Sequence, residues 1–248
     1  MKKFGLIGHP IAHSLSPALF KAAYDGKYAY DLIEGEDFET SYRRFIEEYD
    51  AINVTAPFKE AAFAKADILS EECASTGATN LLVKTPEGIK AYNSDFLGVR
   101  MWLSEVAEDL KGVKILIVGL GGAGKAAAAA AESLGMEVIR MNRTVRDSTT
   151  HPLYEFRQYF READIIIYNI PTAIPELKEL TESDFAADRP KHILEANYKD
   201  PSMAEILKPF GSKAVYTGGR TWLLYQAVTG YEILTGEKPD LRRMSDVL

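Results

Sequence analysis

Cysteine occurs once in the 248 residues, at Cys73, so the chain has no disulfide framework and no cysteine-built metal site. Histidine is nearly as scarce. His9 and His13 have the spacing of a helical metal pair, but Pro10 interrupts the helix such a pair needs and the glutamate of an HExxH pattern is missing. No lysine- or arginine-rich tract is present, and the formal net charge is −7, so neither nucleic acid nor an anionic membrane is an expected partner. No apolar run approaches the roughly 20 residues of a membrane span. The opening segment, from Met1 to Gly8, meets a glycine before a signal-peptide core can form. A soluble, cytoplasmic protein is expected. The GxSxG elbow of serine hydrolases is absent too, and Ser14 and Ser16 read first as loop serines bonded to their own backbone.

What the chain does have is a glycine turn in a telling context. The apolar run Ile115-Leu116-Ile117-Val118 leads into Gly119-Leu120-Gly121-Gly122-Ala123-Gly124, then into an alanine-rich helix expected over Lys125–Leu134 and a strand over Glu137–Met141. Strand, glycine turn, helix and strand in that order form the first half of a dinucleotide-binding fold, with the pyrophosphate on the helix N-terminus. Gly119 permits the tight turn, Gly121 lets the backbone approach phosphate, and Gly124 lets the helix lie close to the strand. An NAD site would end the second strand with a carboxylate for the ribose hydroxyls. This chain has Asn142-Arg143-Thr144 there, with Arg146 beyond. A guanidinium offers paired donors to a phosphate that a carboxylate would repel, so Arg143 favours NADP(H).

Taken in order, the chain alternates. A strand at Phe4–Ile7, a loop Gly8–Pro17, a helix to about Gly26, a strand at Tyr28–Leu32, a helix at Phe38–Glu48 and a strand at Ala51–Val54 are expected. Thr55 and Lys59 follow just beyond the carboxyl end of that last strand, where open α/β sheets bind ligands. Thr79–Val83 and Ile89–Tyr92, joined by Pro86-Glu87-Gly88, read as a hairpin with Asn80 at its start. A helix from Asn93 to about Leu110 follows, and Asp95 reads locally as its cap. Further strands are expected at Asp164–Tyr168, His192–Ala196 and Lys213–Tyr216, then a long helix at Gly219–Leu234 that carries Gln226 among apolar neighbours.

Gly8–Pro17, Asn53–Lys59, Gly77–Asn80, Asn93–Gly98, the glycine turn, Asn142–Thr144 and Gly219–Gln226 together resemble the shikimate dehydrogenase family, in order along nearly the whole chain. The resemblance implies an α/β fold of two domains: a substrate domain with a mainly parallel sheet, residues 1–96 plus 219–248, and a Rossmann-type NADP-binding domain, residues 97–218. It implies an active site in the cleft between them and the NADPH-dependent reduction of 3-dehydroshikimate to shikimate, a small-molecule substrate on the way to chorismate. A homodimer is compatible with it. Carried over, Ser14 and Ser16 would bind the substrate carboxylate, with Tyr198 near it. Thr55, Asn80 and Gln226 would surround the ring, and Lys59 and Asp95 would form the acid–base pair. Gly119, Gly121, Gly122, Ala123, Gly124, Asn142, Arg143, Thr144 and Gly219 would hold the cofactor. No metal is required, because a lysine supplies both the proton and the positive field that a developing alkoxide needs.

The departures from the family pattern fall on the cofactor side. After Asn142-Arg143-Thr144 the next basic residue, Arg146, comes one place early, and Asp147 stands where a base belongs. Asn169-Ile170-Pro171-Thr172 and Glu195-Ala196-Asn197-Tyr198 replace the family's Asn-Ala-Thr and Asp-x-x-Tyr segments, and Trp222 stands where a methionine is usual. Two other readings stay open on this basis: an NAD-using quinate/shikimate dehydrogenase, which Arg143 opposes, and a non-catalytic ligand-binding or regulatory module, which would be expected to have lost Lys59 or Asp95.

Overall fold

The computed structural model describes residues 2–248; Met1 lies outside them. The chain forms two compact units, Met1–Gly98 with Leu224–Leu248, and Val99–Leu223.

In the first unit, β1 (Lys3–Gly8) runs into α1 (Ser16–Ala23), β2 (Ala29–Glu34), α2 (Phe38–Glu48), β3 (Ala51–Val54), α3 (Lys59–Ala64), β4 (Ile68–Leu69), α4 (Glu71–Thr76), β5 (Leu81–Thr85) and β6 (Gly88–Tyr92). Among the described residues these strands make one six-stranded sheet in the order β2-β1-β3-β5-β6-β4. It is mixed: β1 pairs parallel with β2 and β3, and β4 with β6, while β5 is antiparallel to both β3 and β6. The expected hairpin is what introduces the antiparallel pairs. Ile7, Ile33, Phe45, Ile52 and Leu82, all fully buried, fill one face. The first helix stops at Ala23, earlier than expected, because Asp25 and Gly26 both take positive φ and end it.

The second unit carries most of α5 (Ser94–Val106), then β7 (Lys114–Val118), α6 (Gly122–Ser133), β8 (Glu137–Asn142), β9 (Thr150–Pro152), α7 (Phe156–Glu162), β10 (Ile165–Tyr168), α8 (Pro175–Lys178), β11 (Lys191–Glu195), α9 (Ala204–Leu207), β12 (Ala214–Thr217) and the start of α10 (Gly219–Thr235). Its strand order, β12-β11-β10-β7-β8-β9, is that of a doubly wound dinucleotide-binding sheet, and every pairing is parallel. The buried Ile165-Ile166-Ile167 run is the central strand that such a sheet requires. Ala126 to Ala131 are all buried along α6, so their small side chains let that helix settle close to the sheet. The last helix, α11 (Leu241–Ser245), belongs to the first unit.

Candidate functional site

In the first unit the strand order reverses at β1, whose neighbours β2 and β3 are reached by crossovers in opposite directions. Ligands of open α/β sheets bind outside the carboxyl ends of the strands at such a point. The loops after β1 and β3 meet there: Thr55 N–H donates to Ile7 C=O at 2.9 Å and His9 N–H to Ala56 C=O at 3.2 Å. Gly8 allows this approach, since a Cβ would strike the Thr55 and Ile11 side chains. Because β5 runs antiparallel to β3, its start, Asn80, returns to the same edge, and β6 delivers Asn93, Ser94 and Asp95 there as well. The topology therefore leads Ser14, Ser16, Thr55, Lys59, Asn80 and Asp95 out of one sheet edge.

Two of the expected associations are direct contacts, and a third is bridged by one residue. The Lys59 ammonium, at the first residue of α3, donates to the Asp95 carboxylate, with both side chains mostly shielded from water. Asp95 is thus not the helix cap that its local sequence suggests. Asn93 takes that role, accepting from Phe96 N–H at 3.1 Å, which leaves the Asp95 carboxylate in the first turn and available to the lysine. Ser14 Oγ donates to Ser16 Oγ at 3.1 Å and accepts from Ser16 N–H at 3.2 Å, at the N-terminus of α1, where no side chain caps the helix. Asn80 and Gln226 meet through Ser94, a residue that sequence reading passed over. Asn80 Nδ2 donates to Ser94 Oγ at 3.0 Å, Ser94 N–H donates back to Asn80 Oδ1 at 2.7 Å, and Ser94 Oγ donates to Gln226 Oε1 at 3.2 Å. Ser94 is fully buried, and glycine at 230 leaves room for it.

In the second unit the strand order reverses between β7 and β10, and the glycine turn sits there. Gly119 has φ +88°, a conformation that a side chain would strain. A Cβ on Gly124 would lie against the Gly119 carbonyl oxygen, whereas one on Gly121 would meet nothing within 4 Å. Gly119 thus makes the turn, Gly124 allows the close packing of the helix, and the main chain at Gly121 is left open. The helix begins at Gly122, three residues before the expected Lys125, so Gly122, Ala123 and Gly124 form its first turn and offer main-chain N–H groups to an anion. Beside Gly124 lies Asn169, at the end of β10. Both polar atoms of its side chain are buried without a hydrogen-bond partner, a combination that polar groups in folded interiors rarely show. Gly219, at the start of α10, is held against the Ala196–Asn197 backbone closely enough to exclude a Cβ.

At the end of β8, Arg143 and Arg146 are exposed and make no ion pair among the described residues. Asp147 does not neutralise them. Its carboxylate accepts from Thr149 N–H at 2.9 Å, Thr149 Oγ1 at 2.7 Å and Thr150 Oγ1 at 3.0 Å. The Thr149 hydroxyl, followed by the Thr149 N–H and the Thr150 hydroxyl, holds that carboxyl below its ordinary pKa. The acid that stands where a base belongs is therefore tied into its own turn and keeps its charge, without pairing with either arginine among the described residues. Asn142 Nδ2 donates to Thr144 C=O at 3.4 Å across the same bend. The turn, the N–H groups of α6 and two unpaired guanidiniums suit a dinucleotide carrying an extra phosphate on its adenosine ribose.

Tyr198 lies in this second unit, half-buried on the loop after β11, and burial raises its hydroxyl pKa. The loop is anchored at both ends. Asn197 Nδ2 donates to the carbonyls of Pro171 and Asp200, and the fully buried Glu195 carboxylate accepts from Ser202 N–H, Ser202 Oγ, Met203 N–H and Tyr216 Oη. Trp222 is buried in α10.

Residues 6–82 match the profile of the shikimate dehydrogenase substrate binding domain, and residues 88–194 match the NAD binding domain of D-isomer specific 2-hydroxyacid dehydrogenases. The NADP(+) shikimate dehydrogenase of Caldanaerobacter subterraneus subsp. tengcongensis is 30% identical over 95% of this chain and 92% of that protein. The Staphylococcus aureus enzyme of the same name is 30% identical over 98% of this chain and 96% of that protein. Among solved structures, shikimate 5-dehydrogenase from Thermus thermophilus in complex with NADP(H) and shikimate has a TM-score of 0.79 at 26% identity, covering 100% of this chain and 98% of that chain. Identity of 30% over 95–98% of its length places the chain in the shikimate dehydrogenase family.

Proposed function

We propose that this protein is a cytoplasmic NADP-dependent shikimate dehydrogenase that reversibly reduces 3-dehydroshikimate to shikimate, with Lys59 and Asp95 as its acid–base pair. The contact between Lys59 and Asp95 at the ligand-binding edge of the first sheet carries this reading. Among the described residues no helix is long and apolar enough to cross a membrane.

Glycines 119, 121, 122 and 124, with Ala123, hold the pyrophosphate, and Gly219 stands by the same cofactor. Asn142, Arg143 and Thr144 receive the phosphorylated ribose, where the Arg143 guanidinium is free to pair. When bound, NADPH supplies the hydride that converts the ketone carbon to a secondary alcohol. The oxygen of that carbon gains negative charge as it is reduced, and Lys59 supplies the opposite charge and then the proton. Asp95 accepts a hydrogen bond from Nζ throughout, which fixes the direction of the amine. In the oxidative direction the hydroxyl proton passes back to the lysine. Thr55, Asn80 and Gln226 address the ring hydroxyls, the last two braced through Ser94. Ser14 and Ser16, backed by the positive end of α1, take the carboxylate.

Steady-state kinetics of Lys59→Ala, together with equilibrium binding of shikimate, test the assignment. Turnover should fall by roughly 10²–10⁴-fold while shikimate still binds. Near-normal turnover would remove Lys59 from the mechanism.

A further inference from the structure

Phe20 of α1, one turn on from Ser16, packs against two tyrosine rings. It lies edge-on against Tyr231 of α10, with ring centroids 4.9 Å apart, and 4.6 Å from Tyr30 of β2. The Tyr231 hydroxyl donates to the Ser16 carbonyl at 3.1 Å. The Tyr30 hydroxyl donates to Asn53 Oδ1 at 2.8 Å, and Asn53 is a buried residue of β3, two positions before Thr55. Each ring sits where a phenylalanine would fill the same space, so packing alone does not call for the hydroxyls. The Tyr231 hydroxyl thus holds the residue that begins α1 and accepts from Ser14, while the Tyr30 hydroxyl holds Asn53 of β3.

We infer that Tyr231 is a positioning residue for carboxylate recognition: its hydroxyl fixes Ser16 from α10, so that the Ser14–Ser16 pair is formed before substrate arrives. This rests on the reading of Ser14 and Ser16 as the carboxylate site. Two hydroxyls held in place spare the ligand the ordering that a loose loop would demand, and the gain belongs to binding, not to the chemical step. Tyr231 also shares α10 with Gln226, so one helix sets the positions of groups at both ends of the substrate.

Tyr231→Phe and Tyr30→Phe keep the rings and remove only the hydroxyls. Tyr231→Phe should raise KM for shikimate about three- to tenfold, the scale of one lost hydrogen bond, with kcat within about twofold of the parent and little change in thermal midpoint, and Tyr30→Phe, whose hydroxyl meets Asn53 instead, is the control. With the carboxamide analogue of shikimate, which presents no carboxylate, Tyr231→Phe and the parent should have similar KM. Unchanged KM of Tyr231→Phe for shikimate, or equal increases for acid and amide, would overturn the inference. Ser16→Ala separates the two levels. If the parent and Ser16→Ala treat acid and amide alike, the carboxylate site itself is misassigned and the tyrosine role falls with it. If the parent favours the acid, Ser16→Ala loses that preference and Tyr231→Phe keeps it, only the tyrosine role is wrong.

Discussion

Lys59 and Asp95 stand 36 residues apart in the chain, yet the ammonium of one donates to the carboxylate of the other. The first opens a short helix after β3 and the second lies in the first turn of α5 after β6, so the pair exists only because β5 runs antiparallel and returns the chain to the same edge. Groups that act as a unit give strongly non-additive losses. Asp95→Asn, which keeps the shape and removes the charge, should lower kcat, and the double variant Lys59→Ala with Asp95→Asn should lose about as much as Lys59→Ala alone. A double-variant loss equal to the product of the two single losses would show that the residues act independently.

Arg143 is exposed and unpaired among the described residues, and Asp147 is engaged elsewhere. Arg143→Ala should weaken NADPH by about 1.5–3 kcal/mol, the range for a hydrogen bond to a charged group, and leave NADH nearly unaffected. Cofactor titration followed by intrinsic fluorescence reports this directly. Equal weakening of the two cofactors would contradict the phosphate role.

Gly124 faces the Gly119 carbonyl with no space for a methyl group, and both atoms in conflict belong to the main chain. Gly124→Ala should therefore displace the first turn of α6 and reduce NADPH affinity more than tenfold, while the first unit keeps its binding of shikimate. Calorimetric titration of each ligand separates the two effects. NADPH affinity preserved in Gly124→Ala would show that the turn is not the phosphate cradle.

Asp184 provides a test of the fold that is independent of the site. Its side chain is fully buried and bonded to Arg157, Arg161 and the Thr181 N–H. Burial pushes its pKa up, but the Arg157, Thr181 and Arg161 bonds outweigh that and hold it at about 2 instead of 3.8. A carboxyl depressed in the folded state stabilises it above the unfolded pKa, and that contribution is lost as pH falls from about 4 through about 2. Asp184→Asn should cost roughly 2 kcal/mol at pH 7, and the gap between variant and parent should narrow below about pH 4 and close as pH falls through about 2. Denaturant unfolding at a series of pH values measures it, and a gap independent of pH would contradict the account.

How far these features are legible in the sequence depends on how local they are. The glycine turn is readable because the strand, turn, helix and arginine that give it meaning are consecutive, and the observed parallel sheet with its reversal between β7 and β10 follows from that one motif. Asp95 is misread locally because Asn93 and Asp95 both have capping chemistry, and what separates them is a lysine brought in by the sheet. Asp147 is read only as an acid in a base's place because its two threonine partners carry no signal until the turn is folded. Ser94 escapes notice because its meaning lies in joining Asn80 to Gln226, 132 residues beyond the serine. Tyr231 looks like one more core aromatic of a long helix until its hydroxyl is found at Ser16.

The central claim is most directly tested by initial rates, followed by cofactor absorbance, with 3-dehydroshikimate and NADPH and in reverse with shikimate and NADP, alongside quinate and NAD(H). The account predicts rapid turnover of the shikimate pair confined to NADP(H). Comparable rates with NAD(H) would contradict the role of Arg143, preference for quinate would contradict the substrate assignment, and no turnover with any pair would contradict the acid–base reading of Lys59 and Asp95.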